Sequence, residues 1–232
     1  MKKINVIFFL AMMVLAGGCS LGGGTTDQVE TPVCILSVYN ANADEDAEVD
    51  MSLNSVQVNN TPIAYKTFLD YFQLDPGEKT IKFTTTSSGT KVIDTSFTLV
   101  NFKAYSLFVT KRNSSAKVIS ILTLDEGMMT TNTNTMVRFI NLSPDSPDVD
   151  VKLVGESNVF ASNVPFMLMT PYKELAPVDF TVKIVRSSDG TELQTVQLSS
   201  TSSGYYQTIV LSGYNSSPVG GANTLTTKVL HN

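Results

Sequence analysis

The residues best suited to chemistry are acidic side chains that lie just ahead of two alternating runs. NLSPDSPDVDVKL, residues 141–153, sets three aspartates beside two prolines, and YNANADEDAEVDMSL, residues 39–53, repeats an acid at every second position. Calcium prefers several oxygen ligands, which an acidic loop can supply. The candidate calcium ligands are Asp44, Asp46 and Asp50 in the first stretch and Asp145, Asp148 and Asp150 in the second.

The same acids also fit a turn that leads into a strand, and this is the interpretation we favour. An EF-hand loop beginning at Asp44 would place Val49 and Ser55 where that loop needs Gly and Glu. Asp148 and Asp150 share the polar face of an alternating run, so solvent exposure accounts for them. The prolines fix φ, and an aspartate in such a turn can accept backbone N–H groups. We therefore expect no metal and no cofactor, with calcium as the alternative.

Other catalytic chemistry has little support in the chain. The sole histidine, His231, is the penultimate residue, which leaves no Ser-His-Asp or Cys-His arrangement and no histidine-based metal cluster. No GxSxG, HExxH, P-loop or Rossmann pattern occurs. A glycosidase with two carboxylates usually lines its sugar cleft with aromatic residues, and this chain has no Trp. We expect a protein without enzymatic activity, and a glycan-active hydrolase is a weaker alternative.

Composition favours strands and disfavours nucleic acid as a partner. The 232 residues carry a formal net charge of −5 and no basic cluster, whereas nucleic-acid binding needs a basic patch. Thr, Ser, Asn and Val are abundant, and helix-forming stretches of Ala, Leu, Glu and Lys are missing.

The amino terminus has the pattern of a secretory signal. A basic MKK precedes an apolar run, Ile4 to Leu15, and the small residues AGG come directly before Cys19. A cysteine in this place resembles the lipobox of bacterial lipoproteins, in which the thiol is diacylated after cleavage. Ala16 stands where the commonest lipobox has Leu, so a plain signal peptide that leaves Cys19 as a free thiol is the alternative. We favour a membrane anchor through acyl chains on Cys19.

A flexible tether and an unpaired second cysteine follow. SLGGGTTDQVETP after Cys19 is polar and glycine-rich and has no helical period. Once Cys19 is lipidated, Cys34 has no partner for an intrachain disulfide. Cys34 lies within the apolar run VCILSVYN, which favours a buried small hydrophobe over a nucleophile.

The remaining chain repeats one pattern at a spacing of about a hundred residues. Val49, Asp50 and Leu53 align with Val149, Asp150 and Leu153. Farther on, TSSGT aligns with RSSDGT. AYSLFVT aligns with YYQTIVL, which places Tyr105 at the position of Tyr206. Each copy offers about seven short runs of period-two alternation separated by turn residues, a spacing typical of a β-sandwich.

These patterns predict an all-β protein with two tandem immunoglobulin-like or transthyretin-like antiparallel β-sandwich domains. The predicted organisation is a lipoprotein signal peptide at 1–18, the lipidated cysteine and tether at 19–32, the first sandwich at 33–126, a linker at 127–135 and the second sandwich at 136–232. Tyr105 and Tyr206 begin late strands, where immunoglobulin-like sandwiches often keep a tyrosine that caps a loop. A half-buried tyrosine without a special partner is the alternative we favour.

The second copy resembles a known family, Domain of Unknown Function 4397, which occurs in secreted and lipid-anchored bacterial proteins. The family pattern is a Val-Arg pair, an S/A-P-D-A-P-like turn, V-D-V, V-P-F and P-Y. The matching residues are Val137, Arg138, Ser143, Pro144, Asp145, Ser146, Pro147, Val149, Asp150, Val151, Val164, Pro165, Phe166, Pro171 and Tyr172. The first copy keeps Val49-Asp50 but lacks both prolines, and DYFQL stands in place of the P-Y motif. The resemblance implies a β-sandwich module of an envelope protein, often in tandem, without agreed catalytic residues.

The sequence thus predicts a non-enzymatic lipoprotein of the bacterial cell envelope, placed in the outer membrane, facing either the periplasm or the outside. Its expected role is binding, adhesion or scaffolding, with a glycan or another envelope protein as partner. The alternative is a structural accessory subunit of a larger envelope or surface complex.

Overall fold

The computed structural model describes residues 31–44, 48–112, 117–125, 134–199, 206–217 and 221–231. The predicted signal peptide, Cys19, nearly all of the predicted tether and most of the predicted linker lie outside these ranges. Residues 32–232 form one compact unit. In the described ranges there is no helix, and hence none with the length and apolarity needed to cross a membrane.

The first copy forms two four-stranded sheets packed face to face. Its strands are β1 (Cys34–Asn40), β2 (Val49–Leu53), β3 (Val56–Gln57), β4 (Phe68–Leu74), β5 (Gly77–Thr85), β6 (Lys91–Leu99), β7 (Ala104–Lys111) and β8 (Val118–Asp125). The order β4-β1-β7-β8 forms what we call the inner sheet, and β3-β2-β5-β6 forms the outer sheet.

The second copy repeats this arrangement strand for strand. Its strands are β9 (Thr135–Asn141), β10 (Val149–Leu153), β11 (Val159–Val164), β12 (Lys173–Leu175), β13 (Phe180–Arg186), β14 (Glu192–Leu198), β15 (Tyr206–Ser212) and β16 (Thr226–His231). The inner sheet has the order β12-β9-β15-β16 and the outer sheet β11-β10-β13-β14. The predicted all-β fold with two sandwich units is confirmed.

Alternation along the strands builds one hydrophobic core in each sandwich. Val49, Met51 and Leu53 turn one face of β2 inward, and Val149, Val151 and Leu153 do the same in β10. Each inner sheet also contains one parallel pair, β1 with β7 and β9 with β15. The sequence predicted antiparallel sheets and not these parallel pairs. Alternation shows which residues share a face of a strand, but it does not show the direction of the neighbouring strand.

A third core joins the two inner sheets, and the central strands of these sheets are buried on both faces. Tyr39 and Phe108 of the first sandwich lie in it with Ile140 and Val210 of the second. β15 is buried at every residue, and β7 at every residue except the last. The two sandwiches therefore meet across a hydrophobic core to which both contribute.

Contacts at both ends of the inner sheets fix how the copies face each other. Asp125, opposite Ala104 at the start of β7, contacts Arg138 near the start of β9. The Thr110 hydroxyl, near the end of β7, donates to the Leu142 carbonyl just after β9, at 3.1 Å. The starts of β1 and β9 therefore lie at one end of the molecule, which we call the tether end, and their carboxyl ends lie at the other.

Candidate functional site

A buried ion pair crosses the interface between the sandwiches. The Arg138 guanidinium, 1% exposed, donates from Nη2 to Asp125 Oδ1 at 2.5 Å and from Nε to Thr208 Oγ1 at 2.9 Å. Ser106 donates to the other Asp125 oxygen at 2.8 Å. A buried charge pair is tolerated when both partners are fully hydrogen-bonded, and these bonds meet that condition. The pair fixes the two copies against each other.

Two tyrosines at equivalent positions complete this cluster. The Tyr71 hydroxyl donates to Asp125 Oδ2 at 2.6 Å, and the Arg138 guanidinium lies over the Tyr172 ring at 4.5 Å from its centroid. Burial raises the pKa of both hydroxyls, and the Asp125 charge raises the pKa of Tyr71 further. The pairing of β4 with β1 matches that of β12 with β9 and puts Tyr71 at the position of Tyr172. DYFQL in the first copy thus retains the tyrosine of the P-Y motif.

We call residues 142–148, which contain the S-P-D-S-P motif, and the equivalent residues from 41 onward in the first copy the signature turns. A fully buried asparagine lies directly before each of them. Asn141 accepts the Ser143 N–H at 3.1 Å through Oδ1, and its amide donates to the Val164 carbonyl at 3.2 Å. Asn40 makes the same pair of bonds in the first copy, with the Asn42 N–H and the Ile63 carbonyl. Buried amides of this kind hold a loop in one conformation because each polar group needs its partner.

The first acid of each signature turn binds a loop of the second copy. Asp145 accepts the backbone N–H groups of Asn215 and Ser216 at 2.6 and 2.9 Å. Asp44 accepts the Tyr214 hydroxyl, and it pairs with Lys111. Burial, followed by the neighbouring Asp44 carboxylate, raises the pKa of Tyr214. Both carboxylates therefore act as anchors for the loop that follows β15.

The later acids support the outer sheets. Asp150 accepts the Ser187 hydroxyl at 2.6 Å and the Asn163 N–H at 2.9 Å. Partial burial raises the pKa of Asp150, but these two hydrogen bonds outweigh that effect and leave it below its ordinary value. Asp50 accepts the Asn59 amide at 2.9 Å.

Asp148 is exposed and borders a shallow surface cleft of about 270 Å³. The cleft is also lined by Pro147, Asn163, Arg186, Ser187 and Ser188. Arg186, which lines the cleft, is paired with Asp189 at 3.0 Å.

The candidate calcium ligands of the alternative interpretation do not come together as a set in the part of the chain that the structure describes. No three His, Cys, Asp or Glu residues there are placed to hold one metal ion. Asp46 lies outside the described ranges. Each of Asp44, Asp50, Asp145 and Asp150 has the protein partners given above.

The other signature residues divide between the two ends of the second sandwich. Pro165 and Phe166 precede Met167, which has φ 69° and donates its N–H to the Asn141 carbonyl at 2.7 Å. Pro144 and Pro147 flank Asp145 in the signature turn. Tyr206 is buried and packs edge to face on Tyr172, with ring centroids 4.8 Å apart.

The alignment of Tyr105 with Tyr206 is wrong by one residue. Val109 lies opposite Asn40, whereas Leu211 lies opposite Asn141, so Tyr105 corresponds to Gln207. Tyr105 faces the first core, and its hydroxyl accepts the Val100 N–H at 3.0 Å. It does cap a loop, against the interpretation that we favoured.

Gln207 caps the equivalent loop in the second copy. Its amide donates to the Ser199 carbonyl at 3.3 Å. The misalignment arose because adjacent tyrosines, Tyr205 and Tyr206, offered two registers to a comparison of sequences alone.

Cys34 is buried, as predicted. Its thiol donates to the Leu74 carbonyl at 3.3 Å, and burial raises the pKa of the thiol. A thiol with a raised pKa is less reactive, which fits a structural residue.

Loops of both copies combine at the end opposite the chain entry. We call this the distal surface, and it consists of residues 41–44, 62–67, 142–148, 164–170 and 213–217. Besides the Asp44–Tyr214 bond, the Tyr65 hydroxyl lies 3.4 Å from Ser212 Oγ, and Lys228 donates to the Lys66 carbonyl at 2.8 Å. These bonds make one surface from two copies.

Sequence reasoning missed Asp125, Tyr214 and the two buried asparagines. The predicted bounds placed Asp125 at the end of the first sandwich, and nothing in its neighbourhood in the sequence identifies Arg138 as its partner. Asn40 and Asn141 could have been found, since each occupies the same place directly before a repeated acidic turn.

The comparison with protein families agrees with this duplicated architecture. The family described as "Domain of unknown function (DUF4397)" matches residues 35–152 and again residues 135–231. No curated protein matches the chain. The crystal structure of CBMbc, a family CBM26 protein from Eubacterium rectale Amy13K in complex with maltoheptaose, covers 85% of this chain and 97% of its own, at 10% identity and a TM-score of 0.27. The two matched regions span most of the chain, which therefore belongs to the DUF4397 family and carries two copies of its domain.

Proposed function

We propose that this protein is a non-catalytic lipoprotein of the bacterial cell envelope that binds or scaffolds an envelope partner through its distal surface. The partner is another envelope protein or a glycan, and acyl chains on Cys19 hold the protein on the membrane. The observation that carries the proposal is the fusion of both copies into one body with a composite loop surface at its distal end.

The distal surface suits binding because it is both fixed and accessible. Its loops are held by buried asparagines and by bonds between the copies, so little conformational entropy is lost on binding. Leu168, 47% exposed, and the exposed Pro165 and Asp145 offer apolar and polar contacts side by side. Loops on a rigid sandwich are a common place for recognition.

The direction of the chain gives the distal surface an outward position. β1 carries the chain from the tether end to the distal surface over seven residues, a span of roughly 23 Å. A protein anchored through residues before β1 would therefore hold its distal surface away from the lipid.

Site-directed crosslinking in intact cells tests the binding role. A photo-crosslinking residue in place of Leu168 should capture a defined neighbour, and one in place of the exposed Val56 of β3 should not. Leu168→Asp should abolish the capture, while Val56→Asp leaves it unchanged. Equal capture from both positions, or none from position 168, would contradict the proposal. A partner that stays bound in fixed stoichiometry through purification would instead indicate an accessory subunit.

The anchor is tested separately by fractionation. Cys19→Ala should move the protein from the membrane fraction to the soluble fraction and abolish labelling with a fatty-acid analogue. Retention of both would show that Cys19 is not the anchor.

A further inference from the structure

The tether end displays an aromatic side chain in an unusual backbone conformation. Phe102, in the turn between β6 and β7, is 61% exposed and has φ 57°. A bulky residue in the left-handed region is an outlier that the surrounding structure must impose. Val100, two residues earlier, is 53% exposed. The turn thus presents apolar surface to the outside at a backbone position that favours Gly or Asn.

Bonds to the entering chain hold this turn in place. Phe102 donates its N–H to the Val33 carbonyl at 2.8 Å, and the Val33 N–H donates to Asn101 Oδ1 at 2.8 Å. Ile35 donates to the Lys103 carbonyl at 3.0 Å. Phe102 is therefore exposed close to the start of β1, and its position is tied by hydrogen bonds to Val33.

The length of the preceding chain limits how far this turn can be from the lipid anchor. Cys19 lies 14 residues before Val33, in a polar, glycine-rich segment. A flexible segment of that length has an r.m.s. span of about 20 Å, comparable to the span of β1. An acylated Cys19 would thus keep the Phe102 turn close to the headgroups of the bilayer.

Neighbouring side chains match the chemistry of a lipid interface. The exposed Lys103 follows Phe102 directly and can pair with anionic headgroups. In the second copy Leu175 lies opposite Thr135, the first residue of β9, so the next turn also lies at the tether end. Val178, in that turn, is 52% exposed. Apolar side chains with a basic neighbour are typical of surfaces that lie on a membrane.

We propose that Phe102, with Val100 and Lys103, forms a membrane-contacting tip that lies in the headgroup region of the bilayer holding Cys19. The tip sets the orientation of the two-sandwich body, so that the distal surface points away from the lipid. This inference rests on the lipid anchor of the proposed function.

The chain has no Trp, so a single substitution provides a local reporter. Phe102→Trp in the lipidated full-length protein, reconstituted in phosphatidylethanolamine–phosphatidylglycerol vesicles, should show blue-shifted emission. Lipids brominated near the headgroup end of the acyl chain should quench most of that emission. Leu168→Trp on the distal surface is the matched control and should show neither effect. Val100→Trp gives a second reporter at the tip if Phe102→Trp disturbs the turn.

Flotation with the vesicles separates the two proposals. In one outcome the lipidated variants float while brominated lipid quenches Phe102→Trp and Val100→Trp no more than Leu168→Trp. That result would show that the proposed membrane contact of the tip is wrong and that the lipid anchor is correct. Quenching at both ends of the molecule would equally overturn the proposed orientation. If the full-length protein fails to float, the proposed anchor at Cys19 is wrong, and the proposed membrane contact of the tip is wrong as well.

Discussion

At the scale of single residues, charged and polar side chains join parts of the chain that are distant in sequence. Asp125 and Arg138 have almost no exposure, and each has additional partners in its own sandwich, Ser106 and Thr208. Removing one member would leave the other charged, buried and without its main partner, and this is far more costly than breaking a pair in solvent.

Arg138→Met should destabilise the protein by about 3–5 kcal/mol, because it leaves the Asp125 carboxylate buried without its cation. Arg138→Met combined with Asp125→Asn should recover a large part of that loss. The control Lys183→Met breaks the exposed pair with Glu192 and should cost less than about 1 kcal/mol. Urea denaturation measures all three variants. Equal losses for Arg138→Met and Lys183→Met would refute a structural role for the buried pair.

Asp150 should make stability depend on pH in the acid range. Its pKa in the folded state lies below the unfolded value, so its contribution is present above the unfolded pKa of about 4 and is lost as the pH falls through the folded pKa. Ser187→Ala removes the hydroxyl that donates to this carboxylate. The loss of melting temperature caused by Ser187→Ala should therefore be larger at neutral pH than in strong acid.

The first copy supplies the control for this pH effect. Thr86 occupies the position of Ser187, since the two residues donate their N–H groups to the equivalent carbonyls of Glu48 and Asp148. Thr86→Ala should lower the melting temperature by a similar small amount at both pH values. A pH-independent loss for Ser187→Ala would show that its bond does not depend on the charge of Asp150.

At the scale of elements, the central strands of the inner sheets differ from the strands of the outer sheets in having two buried faces. Alternation in β2 and β10 separates core residues from exposed ones, whereas β1, β7, β9 and β15 are buried almost throughout. The loops at the distal surface are correspondingly tight, since strands from both copies meet there.

Gly213, directly after β15, shows how tight this region is. Its φ is 91°, and an added Cβ would lie 2.4 Å from the Thr224 carbonyl oxygen and 2.6 Å from the Tyr65 hydroxyl. Gly213→Ala should therefore cost strain plus overpacking, at least about 2 kcal/mol in all. Gly89→Ala is the control, because Gly89 has φ 65° but open space around its Cα, and it should cost about 1 kcal/mol. Urea denaturation compares the two, and equal losses would show that the loops of the distal surface can move apart.

At the scale of the whole molecule, the third core makes the two copies depend on each other. Residues of both copies bury their side chains there, so each inner sheet would expose apolar surface if its partner unfolded. Two sandwiches with a shared interior should unfold together.

The intact protein should show one cooperative transition in urea, with coincident changes in circular dichroism and in hydrogen exchange of both copies. Phe108→Ala weakens the third core and should separate the transitions of the two copies. Its neighbour Leu107 points into the first core, so Leu107→Ala should lower the midpoint while keeping a single transition. Two separate transitions in the intact protein would show that the interface contributes little.

The family resemblance and the duplication were accessible from sequence because they depend on local patterns. Prolines and aspartates in SPDSP predict the turn, and the alternation in VDVKL predicts the strand after it. Asp150, Pro144 and Tyr172 could therefore be assigned to a fold signature without coordinates. The role of Asp145 as an acceptor of backbone N–H groups followed from turn chemistry, but its partner Asn215 did not. For Asp150 the sequence predicted solvent exposure, whereas the structure shows a hydrogen bond from the Ser187 hydroxyl.

The sequence by itself determined most of the strands, the outward and inward faces of the outer sheets, and the repetition of one domain. Period-two alternation and turn residues act over a few positions, so a short stretch contains all the information that they need. Only the tertiary structure decided the pairing of Asp125 with Arg138, the register of Tyr206 and the third core. In a strand buried on both faces the contrast between polar and apolar positions disappears, and the choice of partner then depends on packing between residues far apart in the chain.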